Sequence, residues 1–581
     1  MTTQKPSSSG GFLSALFGGG KTKGGIPLSP PARVKDYYKR GWWTGRTVDD
    51  VFREAVAESG DDPAIVDPLN RADLLGSEPQ RWSFGELNGR VNALCEWFAA
   101  QGLKRGDRVV MQLPNIVEGV AVFLACARSG LILSPVAVQY RKHELAQILP
   151  LIEPKAFLTV TSFAGHDYAE GALAACAAHA PDTVVGCWGD KAPDGAVSLD
   201  SLGTSSTDAA PLGGKDIDPN EVLTICWTSG TESAPKGVPR HHNHWVFNGE
   251  IMLEAATVKK GEAFLSPFPM INIASIGGMV MPWLIAKGVL VQHHPFDLGV
   301  FLRQIAQEKV VYTLVPPAVL NQLLKAPEIL EKADISSVRR VASGSAPLAP
   351  WMVKGWQEEH GVTVINVFGS NEGASLVTTG EIAPDPETRA AYFPRFGDSD
   401  VWPSRVGTSV RTRLVDPETE KDIKKPGEKG ELRIDGAMTF DGYWRKDGID
   451  TSCFDKKGYF RTGDLFELVD DKFYRFVGRS KEIIIRGGVN ISPAEVEALV
   501  ESHPAVREAA CASYPDERLG ERVCAVVALH EGQSLTLEEL TAFLKEKELA
   551  VYKLPEKLKT VDALPRNSLG KVVRRELNEA P

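Results

Sequence analysis

The run Thr228–Val238, TSGTESAPKGV, sets hydroxyls, a glycine and the cation Lys236 directly after the apolar segment VLTICW. A loop of this kind turns short donors and backbone N–H groups outward, the arrangement that wraps phosphate oxygens. Taken alone, such a loop is more often a plain turn than a ligand site. A second glycine–lysine pattern, ALFGGGKT at Ala15–Thr22, lacks its required context. A phosphate loop follows a buried strand and opens a helix, whereas here a polar tail precedes it and GGIPLSPP follows. It reads as flexible tail. His241, His242 and His244 are crowded together, but zinc sites draw on a second cluster with defined geometry, and none is evident. They read as the entry to a helix beside the loop. Glu254 and the pair Asp470–Asp471 read as solvated surface.

The elements that must position these groups alternate. VFREAVAES and LNGRVNALCEWFAAQG carry helical spacing, while RVVMQLP and KAFLTVT are short strands rich in branched apolar residues. Residues 189–221 are poor in apolar groups and read as a long surface connection; the alternation then resumes through VLTICWT, VVYTLVPP, VRRVAS and TVINVFGS. Short buried strands alternating with helices predict parallel α/β layers. After about Asp400 strand-like pieces separated by turns (RTRLVD, GELRID, LFELVDDKFYRFVG) predict a small β-rich subdomain. From Gly478 a compact α+β unit follows. Ser492-Pro493-Ala494-Glu495 reads as a helix start with a capping box, and Thr536 with Glu539 repeats the cap. The fold class expected is thus α/β with an α+β C-terminal domain.

Length and composition bound the answer. The 581 residues exceed one ordinary domain. Hydrophobic content of 43% and charged content of 24% exclude collagen, a coiled-coil rod and wholesale disorder. With 75 acidic against 65 basic residues the net charge is −10, which argues against nucleic acid as a partner. Eight cysteines without Cys-x-x-Cys spacing sit mostly in apolar runs and predict a reducing compartment. Ala274–Val291 and Gly119–Val138 are interrupted by charge and proline, so no integral membrane segment is expected. FLSALF is too short for a signal-peptide core. A cytoplasmic location follows from these readings. Residues 1–29, rich in Gly, Ser, Thr and Lys, are expected to form a disordered tail.

With its phosphate-loop run and six further motifs in order, the chain resembles the adenylate-forming acyl-CoA synthetases, relatives of the adenylation domains and luciferase, over roughly residues 45–578. The motifs are VASGSAPL (Val341–Leu348), NVFGSNEG (Asn366–Gly373), GELRIDG with GYW (Gly430–Gly436, Gly442–Trp444), YFRTGD (Tyr459–Asp464), FVGRSKEIIIRGGVNISPAEVE (Phe476–Glu497) and LPRNSLGKV (Leu564–Val572). Glu232, Ser233 and Asn371 depart from the family pattern, Asn371 standing where a Thr is usual.

The resemblance implies an AMP-binding adenylation domain over residues 30–478 and a mobile lid over 479–581. It implies ATP, used with Mg2+, bound at Thr228, Ser229, Gly230, Thr231, Lys236, Gly344, Ser345, Ala346, Asn366, Phe368 and Gly369. Phe368 would stack on adenine, Asp464 and Arg479 would reach the ribose, and Glu372 would hold the metal. Lys571 would be the catalytic lysine, with Thr231 and Glu372 organising the phosphates, and Lys481 the hinge. Arg486, Gly487 and Gly488 would line a coenzyme A tunnel.

In the implied reaction a carboxylate meets the α-phosphate of ATP, two anions that cations and donors must bring together. The resulting mixed anhydride passes to a thiol while water is kept out. Trp227, Ile271, Asn272 and Gly369 would shape an apolar pocket for a cyclic, aromatic or medium-length acid. Asn272 there needs a partner, either backbone or a polar group of the acid. The strongest likeness is to cyclohexanecarboxylate-CoA ligase-like and aryl-CoA ligase-like members. Two other readings remain open: a stand-alone enzyme loading a carrier-protein pantetheine, although no carrier domain follows Lys571, and a non-catalytic nucleotide-binding scaffold. The reading leaves room for a homodimer.

Overall fold

The computed structural model describes residues 25–228, 235–479, 482–486, 489–516, 518–547, 549, 551–567 and 571–577. Two large sheets form the body. One runs, in spatial order, Ser375–Thr378, Thr363–Gly369, Arg340–Gly344, Val310–Leu314, Ala263–Ser266, Val289–Gln292, Pro63–Val66 and Arg81–Ser83. It is parallel except at its two ends. The other runs Gly448–Asp450, Tyr443–Arg445, Lys236–His241, Val222–Thr228, Ile132–Pro135, Arg108–Gln112, Ala156–Val160, Val184–Trp188 and Ala196–Ser198. Parallel pairing in this sheet begins at Val222–Thr228; the three strands before it pair antiparallel.

Between the sheets lie helices whose apolar character is not confined to one stripe. Every residue of Val117–Ser129 is buried, as expected of a helix sandwiched on both faces. One core joins Val109, Leu133 and Leu223 of the second sheet to Phe264, Tyr312 and Ile365 of the first. The helices Val48–Ser59 and Phe84–Ala100 both open on capping boxes, Thr47 with Asp50 and Ser83 with Glu86.

The β-rich unit is a five-stranded antiparallel sheet: Tyr392–Pro394, Phe473–Arg479, Phe460–Leu468, Lys429–Gly436 and Val410–Val415. It begins slightly before the change of texture in the sequence, because Tyr392–Pro394 pairs back onto Phe473–Arg475. The C-terminal unit packs the helices Pro493–Glu501 and Leu537–Glu546 on a sheet built around Val506–Asp516 and Gly520–Leu529. Thr536 and Glu539 form the anticipated capping box. At the other helix Ser492 accepts from Glu495 N–H, but the Glu495 carboxylate pairs at 2.6 Å with Lys553 instead of returning to the cap.

Residues 25–29, assigned to a tail by composition, are packed: Leu28 and Ser29 are buried, and Pro27 bridges Glu221. Composition missed this because the anchor is long-range. Asn220 accepts from Ser29 N–H and donates to Ser29 C=O, both at 3.0 Å. Residues 1–24, including Ala15–Thr22, lie outside the described residues. No helix among the described residues is long and apolar enough to cross a membrane.

Candidate active site

Strand ends deliver the groups. Val222–Thr228 carries Thr228 out of the second sheet, and the chain returns through Lys236–His241, with Thr228 paired to Lys236. Lys236 N–H donates to Thr228 Oγ1 at 3.4 Å. In the first sheet Thr363–Gly369 ends beside Arg340–Gly344, with Gly344 opposite Val367. A Cβ on Gly344 would lie 2.0 Å from Val367 O, so only glycine fits this approach. Ser345 follows in the left-handed region at φ 70°. Phe368 is half-buried, its ring 5.1 Å from Phe466 and 6.0 Å from Phe393.

Glu372 is 7% exposed, and its carboxylate accepts from the Tyr443 hydroxyl at 2.8 Å. The Tyr443 ring also lies 4.9 Å from the Lys236 ammonium. Burial and Glu372 push the Tyr443 hydroxyl far above its ordinary value, so it stays a donor. Asp464 and Arg479 face each other on adjacent strands, Nε to Oδ1 3.2 Å. From the C-terminal unit comes Lys571, whose N–H donates to Asn567 Oδ1 at 3.0 Å and whose C=O accepts from Asn567 N–H at 2.8 Å. The residue is exposed, and its ammonium lies in the field of Arg479, Asp464, Glu372 and Glu482. Its pKa is lowered, first by desolvation and then by Arg479, with the three carboxylates opposing. One lysine and one arginine thus face carboxylates supplied by three separate segments.

The other candidate residues are placed as follows. Asn366 is 2% exposed, and its amide donates to Arg389 O and Ala390 O at 3.0 and 2.9 Å, a framework role. Asn371 is engaged at both ends of its amide: Oδ1 accepts from Ile273 N–H at 2.9 Å and Nδ2 donates to Trp227 O at 3.2 Å. It ties the Glu372 loop to the wall of the expected acyl pocket. Asn272 finds backbone, accepting from Ser275 N–H at 3.2 Å and capping the turn Ile273–Ser275. Trp227 and Ile271 are buried in one cluster, with Trp227 Nε1 donating to Ser134 Oγ at 2.8 Å. Gly369 is exposed at its strand end. Arg486 is held by Glu556, Nη2 to Oε1 2.8 Å. Ser229, Gly230, Thr231, Lys481, Gly487 and Gly488 lie outside the described residues.

The three histidines do form a helix entry. His241 caps His242–Ala256, its Nδ1 accepting from His244 N–H at 3.2 Å, and His242 Nδ1 accepts from Val48 N–H at 3.1 Å. The His241 and His244 rings stack at 3.5 Å, beside Asp441. With Nδ1 occupied as an acceptor, the neutral His241 ring carries its proton on Nε2, 3.0 Å from Ser29 Oγ. That proton blocks the lone pair a metal would need there. Burial holds His241 and His244 well below the usual imidazole range and His242 at about 3.

Sequence reasoning did not assign a role to Tyr443, although GYW was a motif, or to Asp441 and Arg240. Arg240 is fully buried and donates to Asn371 O and Met438 O at 2.9 and 3.0 Å; burial lowers it to about 10.

The architecture is thus two α/β layers, a β-rich unit and a smaller C-terminal unit, and known families match it over most of the length. Residues 52–444 match the AMP-binding enzyme family, and residues 495–571 the AMP-binding enzyme C-terminal domain. The chain belongs to the AMP-binding enzyme family, among its adenylate-forming ligases. It is 29% identical over 561 residues to 2,3-dihydroxybenzoate-AMP ligase of Bacillus subtilis, covering 95% of this chain and 96% of that one. It is 28% identical over 546 residues to the medium-chain fatty-acid–CoA ligase of Escherichia coli, covering 92% and 90%. Among solved structures, ATP-bound MatB from Rhodopseudomonas palustris is similar with a TM-score of 0.76 at 26% identity, covering 91% of this chain and 98% of that one.

Proposed function

We propose that this ligase joins a cyclic, aromatic or medium-chain carboxylic acid to coenzyme A, through an acyl-adenylate formed with release of pyrophosphate. The observation that carries the reading is the placement of Lys571 from the C-terminal domain in the field of Glu372, Asp464 and Arg479. A cation beside the reacting centre lowers the cost of bringing a carboxylate to the α-phosphate. In this reading the Thr228–Thr231 loop and Lys236 receive the phosphates, Gly344–Ala346 and Phe368 flank the adenine, and Asp464 and Arg479 take the ribose. Glu372 offers a hard oxygen donor suited to Mg2+, which when bound neutralises phosphate charge. The Glu372 oxygen that Tyr443 does not occupy supports that fit. Trp227 and Ile271 supply the apolar wall for the acid; Asn272, whose oxygen is committed to backbone, supports an apolar acyl group. Residues 30–478 then act as the adenylation domain and 479–581 as a lid turning about Lys481. Arg486 to Gly488 would face the thiol.

The test is carboxylate-dependent exchange of labelled pyrophosphate into ATP over fatty, alicyclic, benzoic and phenylpropenoic acids. Exchange with one group, followed by CoA-dependent release of AMP, supports the reading; silence across all of them overturns it. Exchange without CoA turnover would favour a carrier-protein acceptor. Lys571→Ala should lower exchange about a hundredfold or more while thiolysis of preformed adenylate persists. Loss of both steps together would sink that division of labour.

A further inference from the structure

Glu372 is fixed by one short loop, and that loop is itself fixed from the N-terminal side of the chain. Phe440 N–H donates to Glu372 C=O at 2.8 Å, and the Tyr443 hydroxyl donates to Glu372 Oε1 at 2.8 Å. Gly373, next to Glu372, packs so tightly that a Cβ there would lie 1.9 Å from Met438 O. The loop Ala437–Tyr443 thus touches Glu372 and its neighbour at three points and has little slack. Gly442 is hemmed in as well: its Cβ would meet Asp450 O at 2.6 Å.

Between the contact points stands Asp441, 8% exposed. It receives the Ser29 hydroxyl at Oδ2 and the Arg33 guanidinium at Oδ1, both at 2.6 Å. Trp43 Nε1 donates to Ala437 O at 3.0 Å, a third tie from the same segment to the same loop. Ser29 is anchored in turn by its two backbone bonds to Asn220, just before the strand that ends in Thr228. A buried carboxylate stripped of its partners carries an uncompensated charge, so the loop would shift to reach water.

We propose that Ser29, Arg33 and Asp441 are positioning residues: the segment 25–47 clamps the loop Ala437–Tyr443 and thereby sets the Glu372 carboxylate toward its cation. The proposal rests on the reading of Glu372 as the metal-holding residue. Its logic is that of outer partners which orient a ligand, whose loss typically costs about 10- to 100-fold in metal affinity.

The experiment is calorimetric titration of ATP into the full-length chain, with Mg2+ varied and with Mg2+ chelated. The proteins compared are the parent, Ser29→Ala/Arg33→Met, Asp441→Asn and Glu372→Gln, each checked for folding by its melting temperature. Arg33 is partly exposed, so the double variant is expected to fold. The Mg2+ midpoint should rise about tenfold in the double variant and in Asp441→Asn, while ATP binding in chelator stays within about twofold. Arg33→Lys, which keeps the charge, should recover part of the shift. A Mg2+ midpoint unchanged in the double variant while Glu372→Gln moves it overturns the clamp and leaves the role of Glu372 standing. Equal weakening with and without Mg2+ also overturns it, reducing the segment to scaffold. A Glu372→Gln variant with an unaltered Mg2+ midpoint overturns the metal reading itself, and the clamp with it.

Discussion

Asp464 is 4% exposed, and burial pushes its carboxyl up to about 6, with Arg479 and then Lys571 pulling it back. In the free enzyme it is protonated below that value and charged above it. If Asp464 accepts from the ribose hydroxyls, as proposed, ATP affinity should fall as pH drops through 6, by about tenfold for each further unit. Asp464→Asn should bind more weakly above pH 7 and show no such slope between pH 5 and 7, as read by equilibrium titration. Residues of this kind stand out as candidates because each sits in a short run of distinctive types, such as YFRTGD or NSLGK. Tyr443, Asp441 and Arg240 do not, because what matters about them is their partner: Glu372 lies 71 positions from Tyr443, and the Ser29–Asp441 bond spans 412. Asn366 shows the opposite case. It lies inside a recognisable motif, yet its amide turns inward to the Arg389 and Ala390 carbonyls.

Helix ends show how an unusual residue can take over a common duty. His241 stands at the N-cap of His242–Ala256, where a small hydroxyl or carboxylate is the usual choice, and its ring nitrogen accepts from His244 N–H. His241→Ala should destabilise the protein by about 1–2 kcal/mol through the lost cap. His241→Thr should restore most of that, as judged by urea unfolding; no recovery would mean that the ring acts mainly through its stack on His244. Strands such as Val222–Thr228 and Thr363–Gly369 were visible in the sequence as runs of branched apolar residues bounded by turns. The capping boxes were only half visible. Ser492-Pro-Ala-Glu and Thr536-Leu-Glu-Glu carry the same signal, and only a competing cation, Lys553, separates their outcomes. The packing of residues 25–29 was invisible because nothing local holds them; Asn220 does, 191 positions away.

At the scale of the molecule, the two domains meet where Lys325 reaches the C-terminal unit. Glu501 there is pushed up to about 7 by burial, aided by Glu497 and opposed by the Ala509 N–H and Lys325. The folded chain keeps this proton between the ordinary 4.5 and about 7, whereas the unfolded chain releases it. Its contribution to stability is thus complete below the lower value and is lost as pH rises through the upper one. Glu501→Gln should flatten that loss and leave the variant more stable at pH 8 by on the order of 1 kcal/mol, measured by thermal unfolding across pH. The Lys325 ammonium donates to the main-chain carbonyls of Glu501 and Val506, at 3.1 and 3.3 Å. A grip on carbonyls does not read side chains, so these two hydrogen bonds place no demand on the identity of the residues they hold, and the Glu501 carboxyl enters only through its charge. The C-terminal domain is to that extent an interchangeable part: a relative's counterpart with the same backbone course could be grafted here and still be caught by the same lysine.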